Sequence, residues 1–294
     1  MLQKSFITYL THEKRYSQHT ITSYQNDLSQ FQEYIQNQYQ IDFTEVQHSQ
    51  LRSFMVYLME DGNSESSINR KISALRSFYK FLHKTEKIEQ NPALLIKAPK
   101  IPKRLPAFVD HQKMDLLLDS GNYFAEGFES ARDQIVIELL FGTGMRLAEL
   151  LQLKDTDIDF YAGTIRVLGK RNKERIIPIS KQLANQVNNY LSEKKIQAFD
   201  NIVPNLIVTN VGAAAYPKLI YRIVTSYLNH VSTNDKKSPH VLRHSYATAL
   251  LNAGADLNAI KELLGHASLA ATQVYTHNSI ERLKTIYKQA HPKA

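Results

Sequence analysis

The sequence contains no cysteine, which excludes a disulfide framework, a thiolate nucleophile and a cysteine metal site. It also lacks any run of 18 consecutive apolar residues, so no transmembrane helix is expected. The first residues become polar within four positions and show neither the apolar core nor the cleavage site of a signal peptide. These absences fit a cytoplasmic protein best.

What the chain has in excess is positive charge, and that charge is unevenly distributed. The formal net charge is +8 over 294 residues, a length sufficient for two domains with separate cores. Residues 1–92 carry ten Lys/Arg and ten Asp/Glu, yet Arg70 to Lys87 holds six basic residues and one acidic residue. The segment KAPKIPKRLP, residues 97–106, holds four basic residues and no acid. Localised positive charge of this kind predicts binding to a phosphate backbone.

Apolar spacing predicts four helices in the first ninety residues. The clearest stripe follows a cap at Ser17 or Thr20 and runs through Ile21, Tyr24, Leu28, Phe31 and Ile35. A shorter helix precedes it, and two more follow through residues 51–58 and 68–82, so a small bundle is expected. On the fourth helix four basic residues lie mostly off the apolar stripe, and we interpret their face as DNA-binding rather than merely solvated. They are Arg70, Lys71, Arg76 and Lys80.

A proline-rich stretch is predicted to link this domain to the next. Asn91-Pro92 ends the fourth helix, because proline disfavours a helical residue before it. We expect residues 1–92 to form a DNA-binding domain, 93–107 a basic linker that also lies along DNA, and 108–294 a second domain. The basic residues of the linker are Lys97, Lys100, Lys103 and Arg104.

The second domain is expected to be α+β, which makes the whole chain mainly α with a small antiparallel β-sheet. In GTGMRLAELLQL two glycines end one helix, and Arg146 lies in the first turn of the next. TIRVL (164–168) and RIIPI (175–179) predict a hairpin whose polar loop carries Lys170, and NLIVT (205–209) predicts a third strand. Helices are expected near residues 112–118, 131–141, 216–231, 240–252, 257–264, 270–275 and 280–289.

Six residues of this domain suit phosphodiester transfer. That reaction builds negative charge on the nonbridging oxygens, which guanidinium, ammonium and imidazole groups offset where no metal is used. Arginine matches two phosphate oxygens at once, and a lysine or histidine on a short loop can protonate the leaving oxygen. Taken singly, each residue also has an ordinary interpretation as a surface or packing residue. The six are Arg146, Lys170, His240, Arg243, His266 and Tyr275.

The ordered set R, K, HxxR, H, Y, with gaps of 24, 70, 3, 23 and 9 residues, resembles the tyrosine recombinase (phage integrase) family. The local strings TGMRLAEL, LGKRNKERIIPI, SPHVLRHSYAT and LLGHASLAATQVYTH agree as well. The resemblance covers nearly the whole chain, includes KRYSQHTITSYQNDL and INRKISALRSFYKFL, and looks most like the Xer branch. It implies an N-terminal helical, SAM-like core-binding bundle and a catalytic domain that clamp DNA between them.

The resemblance implies specific catalytic roles. Tyr275 would attack the scissile phosphate to form a 3′-phosphotyrosyl link, and Lys170 would protonate the freed 5′-oxygen. Arg146 and Arg243, with His240 and His266, would contact the nonbridging oxygens. The family needs neither metal nor ATP, and the chain shows no carboxylate cluster for Mg²⁺ and no GxxxxGK[ST] loop. Two other tyrosines, Tyr246 and Tyr287, are expected to pack. Glu149, one turn after Arg146, is expected to orient a basic neighbour, and a plain surface role is the alternative.

The resemblance also implies partners and a biological role. The expected partners are double-stranded DNA with a short near-palindromic site and a septal DNA translocase, with no membrane. On DNA the chain is expected to form a tetramer, either of identical copies or together with a paralogous recombinase. The C-terminal helix is expected to dock on a neighbouring protomer, and packing within its own domain is the alternative. We expect chromosome or plasmid dimer resolution at cell division, through a Holliday junction. The alternatives are a mobile-element integrase of the same chemistry, a type IB topoisomerase, and a non-enzymatic DNA-binding protein, which predicts loss of one of the six residues.

Overall fold

The computed structural model describes residues 1–102, 108–119, 123–169, 173–200 and 203–265. Contacts between Cα atoms divide the chain into two compact units, Met1–Arg104 and Leu105–Ala294. Each unit has an apolar core of its own. Within the described ranges every helix is too short or too polar to cross a lipid bilayer.

The first unit is the helical bundle that the apolar spacing predicts. Ser17 is the N-cap of the second helix, and its Oγ accepts a hydrogen bond from the Thr20 N–H at 3.4 Å. The stripe residues Leu28, Phe31 and Ile35 are fully buried. The helices are α1 (Leu2–His12), α2 (Gln18–Tyr39), α3 (His48–Glu60) and α4 (Glu65–Lys84).

Helix α4 does not present all of its basic residues to solvent. Lys71 is only 9% exposed, and its Nζ lies 3.3 Å from Oδ1 of the buried Asp27 and also donates to Gln30. Arg70 pairs with the other oxygen of the same carboxylate at 2.5 Å. The expectation that Lys71 lies off the apolar stripe is therefore wrong, because a buried carboxylate is tolerated only with a close counter-charge. Of the four basic residues expected to face DNA, Arg70, Arg76 and Lys80 are exposed.

Asp27→Ala is expected to lower the free energy of unfolding by about 3 kcal/mol, because it leaves the ammonium of Lys71 buried without its charged partner. Arg70→Ala serves as the matched control, since Arg70 is largely exposed and its loss leaves the Lys71–Asp27 pair in place. Arg70→Ala should lower the free energy of unfolding by less than about 1 kcal/mol. Urea denaturation of the full chain measures both losses of unfolding free energy. Equal losses would refute the distinction between the Lys71–Asp27 pair and the Arg70–Asp27 pair.

The basic, proline-rich stretch begins as a packed part of the first unit. Ala93 and Ile96 are buried in its core. The Asn69 side chain donates to the Pro99 carbonyl at 2.9 Å, and Arg76 donates to the Ile96 carbonyl. Residues 93–99 are thus held against the bundle, which a free linker would not be. Lys97 and Lys100 have exposed side chains, whereas Lys103 and Arg104 lie outside the described residues.

The second unit combines helices with a three-stranded antiparallel sheet of order β1-β2-β3. Its helices are α5 (His111–Asp119), α6 (Phe128–Thr143), α7 (Leu147–Gln152), α8 (Lys181–Ile196), α9 (Pro217–Val231), α10 (Pro239–Asn252) and α11 (Leu257–Leu264). Its strands are β1 (Ile158–Asp159), β2 (Thr164–Leu168) and β3 (Glu174–Pro178). The predicted hairpin is confirmed, with Val167 opposite Arg175 and Leu168 opposite Glu174.

The third strand is not where the sequence predicts it. Leu206, Ile207 and Val208 are apolar and buried, but among the described residues the segment 205–209 forms isolated bridges rather than a strand, from Asn205 to Lys154 and from Val208 to Ala214. The two-residue β1 completes the sheet instead, pairing Ile158 with Ile165. The prediction of a strand over 205–209 is therefore wrong, because burial there comes from packing under the helices rather than from a sheet ladder.

Helix α8 is an element that the sequence analysis did not anticipate. Ser180 caps it, with its Oγ accepting from the Leu183 N–H at 3.2 Å. Leu183, Val187 and Tyr190 form its buried stripe at helical spacing. The helices expected over residues 270–275 and 280–289 lie outside the described residues.

Candidate active site

Arg146 is placed by the break between α6 and α7. Helix α6 ends at Gly144, whose left-handed backbone (φ +61°) turns the chain, and Arg146 is the N-cap of α7. The Glu149 carboxylate accepts from the Arg146 backbone N–H at 2.7 Å and from its Nη1 at 2.8 Å. Glu149 therefore caps the helix and orients the guanidinium together, which confirms its predicted role. The Arg146 side chain is 32% exposed and can reach an external anion.

Arg243 reaches the same region from α10. It is 9% exposed, and it donates from Nη1 to the Gly144 carbonyl and from Nη2 to the Leu264 carbonyl. His240, one turn earlier on α10, has an exposed side chain. Tyr246, one turn later, is buried in a small apolar cluster, which confirms that it packs.

The last turn of α11 brings three arginines together. Carbonyl groups at a helix C-terminus have no partner within the helix and carry its negative dipole end, so cations stabilise them. Here three successive carbonyls each accept a guanidinium N–H. The pairs are Arg175 Nε to Leu263 O at 3.1 Å, Arg243 Nη2 to Leu264 O at 2.6 Å, and Arg146 Nη2 to Gly265 O at 2.8 Å. Side chains from the N-cap of α7, from β3 and from α10 thus meet at one helix end.

Arg175 is a site residue that sequence reasoning missed. Its Nη1 and Nη2 donate to the two Glu149 carboxylate oxygens at 2.6 and 2.8 Å, and both side chains are buried. Along β3 burial alternates, and Arg175 lies on the buried side with Ile177. The available signal was its position, since a charged residue at an inward-facing position of a strand requires a buried partner.

The electrostatics of the cluster favour an anion. Burial opposes ionisation of Glu149, but the hydrogen bonds and charge of Arg175, followed by those of Arg146, hold the pKa of that carboxyl below its usual value. Burial, followed by the charge of Arg146, lowers the pKa of Arg243 to about 10, with Glu149 opposing and Arg175 adding to the effect. Arg243 is still protonated at neutral pH. Three guanidinium groups against one carboxylate leave an excess of two positive charges, which a phosphate would relieve.

The structure therefore brings Arg146 and Arg243 together and puts His240 on the same helix as Arg243. Lys170, His266 and Tyr275 lie outside the described residues. The described residues reach Gly169, immediately before Lys170, and Gly265, immediately before His266. Gly169 donates its N–H to the Lys173 carbonyl at 2.8 Å across the hairpin loop, and Gly265 ends α11 in the left-handed conformation.

Gly144→Ala is expected to lower the free energy of unfolding by about 3 kcal/mol, from the strained left-handed conformation and from overpacking. A Cβ there would collide with the Tyr246 ring and lie 2.9 Å from Leu264 Cδ2. Gly254→Ala is the control, because Gly254 also has positive φ (+84°) but nothing within 4 Å of an added Cβ. Thermal and urea denaturation should show a loss of about 1 kcal/mol for the control. A Gly144→Ala variant no less stable than the control would contradict the close packing.

The sequence matches known proteins along both units. A model of the phage integrase family matches residues 107–282, and one of the phage integrase N-terminal SAM-like domain matches residues 4–86. The tyrosine recombinase XerC of Pediococcus pentosaceus is 38% identical, with 98% of this chain and 97% of the relative covered. The XerC of Listeria innocua is 36% identical, with 100% and 98% covered.

Solved structures share the fold. A XerH site-specific recombinase bound to palindromic difH substrate, in a post-cleavage complex, superposes with a TM-score of 0.71 at 26% identity, covering 90% of this chain and 78% of that one. The Tn1549 transposon integrase in complex with transposon right end DNA reaches a TM-score of 0.73 at 18% identity, covering 96% and 99%. At that identity the second likeness concerns the fold alone.

Proposed function

The chain belongs to the phage integrase family of tyrosine recombinases, and we propose that it cuts and rejoins double-stranded DNA at a short near-palindromic site. The observation that carries the proposal is the convergence of Arg146 and Arg243 on adjacent carbonyls at the end of α11. Those carbonyls directly precede His266 in the sequence. Two guanidinium groups so placed can bind the nonbridging oxygens of one phosphate.

In the proposed reaction the Tyr275 oxygen attacks the scissile phosphorus. The phenol gives up its proton to solvent, a bond from phosphorus to the tyrosine oxygen forms, the bond to the 5′-oxygen breaks, and Lys170 protonates that oxygen. The pKa of a free tyrosine is near 10, so positive charge from the arginines and from His240 and His266 stabilises the phenolate as it forms. The 5′-hydroxyl of another strand then attacks the phosphotyrosine, and the exchanged strands form a Holliday junction.

Exposed basic residues of the first unit are proposed to hold the DNA backbone. Arg70, Arg76 and Lys80 lie on α4, and Lys97 and Lys100 follow on the segment packed against the bundle. Lys103 and Arg104 extend the same basic sequence. Lys71 is omitted because its ammonium is buried against Asp27. The XerH neighbour, which is bound to DNA, supports this assignment, and affinity should fall steeply with salt concentration.

The biological role that we propose is chromosome or plasmid dimer resolution at cell division, in the cytoplasm. Support comes from the XerC relatives, which match over nearly their full length. The proposed assembly on DNA is a tetramer, either of this chain alone or with a paralogous recombinase, in which the C-terminal helix docks on a neighbouring protomer. A septal DNA translocase is the proposed regulator.

A nicked suicide duplex tests the proposed chemistry. Candidate near-palindromic sites from the replication-terminus region of the encoding chromosome are incubated with the full chain in EDTA. We expect a covalent adduct on one strand, a free 5′-hydroxyl, and the modified peptide mapped to Tyr275 by mass spectrometry. A duplex with a scrambled site is the control. No adduct on any candidate site, or an adduct elsewhere, would overturn the proposal, and relaxation of supercoils without sequence preference would identify a topoisomerase instead.

A further inference from the structure

We propose that Arg175 is a positioning residue that couples three segments of the active site, an inference that rests on the function proposed above. Its guanidinium is 6% exposed, and Nε, Nη1 and Nη2 each donate to protein acceptors. A group enclosed in this way does not bind the phosphate itself. It acts through the groups that it holds.

The first segment held by Arg175 is the start of α7. The bidentate contact fixes both oxygens of Glu149, at 2.6 and 2.8 Å. The same carboxylate accepts from the backbone and from the guanidinium of Arg146. Because a planar fork fixes a carboxylate in both distance and orientation, Arg175 sets the plane in which Arg146 is presented.

The second segment is the end of α11, which leads into His266. Arg175 Nε donates to the Leu263 carbonyl at 3.1 Å. A Cβ added to Gly265 would lie 3.2 Å from Arg175 Cδ and 3.3 Å from Nε and Nη1, so the Gly265 backbone rests directly on the arginine. Gly265 is also the residue whose carbonyl accepts from Arg146. The turn before His266 is therefore built against Arg175.

The third segment is the hairpin loop that leads into Lys170. A Cβ on Gly169 would lie 3.6 Å from Arg175 Nη1 and 3.6 Å from Glu149 Oε1, and 3.2 Å from the Lys173 carbonyl. The backbone before Lys170 thus passes beside the Arg175–Glu149 pair, at a distance that one added methyl group would fill. One buried arginine therefore lies beside the chain next to Lys170, donates to the helix end that leads into His266, and holds Arg146 through Glu149.

Lysine in place of arginine separates positioning from charge. Arg175→Lys keeps the positive charge, but one ammonium cannot hold both carboxylate oxygens and the Leu263 carbonyl in a plane. We expect the cleavage rate at saturating suicide duplex to fall about 100-fold, since small displacements of catalytic groups have effects of that size. The DNA dissociation constant should not change. Arg166→Lys is the matched control, because Arg166 lies on the neighbouring strand β2 in an exposed ion pair with Asp157 at 3.2 Å, and its cleavage rate should equal that of the wild type.

Amide hydrogen exchange on the DNA-free chain gives a second readout that does not depend on cleavage. Arg175→Lys should speed exchange in α11 (Leu257–Leu264) and leave α9 (Pro217–Val231) unchanged. If the wild type cleaves no candidate site, the proposed function fails, and the exchange result still decides whether Arg175 holds α11. Should Arg175→Lys not fold, Glu149→Gln is measured in the same way. The inference would be overturned if either folded variant cleaved at the wild-type rate. It would also be overturned if amide exchange in α11 of Arg175→Lys were unchanged, or if the variant lost only its affinity for DNA.

Discussion

Tyr275→Phe is expected to abolish covalent DNA cleavage, with the adduct yield falling by at least about 10⁴-fold. Phenylalanine keeps the ring but removes the oxygen that forms the bond to phosphorus. DNA binding should be unchanged, because the loss concerns one hydroxyl and no positive charge. The measurement is single-turnover adduct formation on the nicked duplex, together with a gel-shift titration on the intact duplex.

Two other tyrosines provide the controls for this variant. Tyr246→Phe keeps a ring that packs in the cluster beside α11, and Tyr287→Phe changes a tyrosine of the final stretch of the sequence. Both should cleave at the wild-type rate. The proposed mechanism would be contradicted if Tyr275→Phe still formed the covalent adduct or if either control lost it. The nucleophile would then be assigned to another residue.

Most helices and the hairpin of this fold could be predicted from periodicity. The stripe on α2 and the paired runs TIRVL and RIIPI encode one local element each, and the structure contains both. The strand expected over 205–209 failed because a short buried apolar run has no period that separates a strand from packed coil. Helix α8 has a local signal of the same kind, since Ser180 caps it and Leu183 and Val187 begin its buried stripe.

The residues of the candidate site also form two groups, those that a local sequence pattern identifies and those that it does not. Arg146 and Arg243 are identified by short motifs, since the chemistry demands arginine near a helix start and in an HxxR turn. Arg175 and Lys71 could not be found in that way, because each is explained by a partner far away in sequence, Glu149 and Asp27 respectively. The strand pattern places Arg175 at an inward-facing position, but only the folded chain shows which carboxylate neutralises each buried cation.

Arg243→Lys is expected to lower the single-turnover cleavage rate by about 10³-fold at neutral pH while the chain stays folded and binds DNA. The guanidinium uses separate nitrogens for the Gly144 and Leu264 carbonyls, which fixes its plane beside Arg146. A lysine ammonium carries the charge only while it is protonated, and it presents no fork to two phosphate oxygens. Arg222→Lys is the control, since Arg222 is exposed on α9, where it donates to the Tyr216 hydroxyl at 3.3 Å.

The pH dependence of cleavage by Arg243→Lys distinguishes a loss of positive charge from a change in the geometry of the site. In the wild type the pKa of Arg243 is about 10, lowered by burial and then by the charge of Arg146, so the group stays protonated between about pH 6 and pH 8. A lysine in that position starts from a lower intrinsic pKa and meets the same burial and the same neighbouring charges, which lower it further. Its protonated fraction therefore falls as the pH rises. Cleavage by Arg243→Lys should decline across that range relative to the wild type, whereas a parallel profile with a constant deficit would show that geometry alone accounts for the loss.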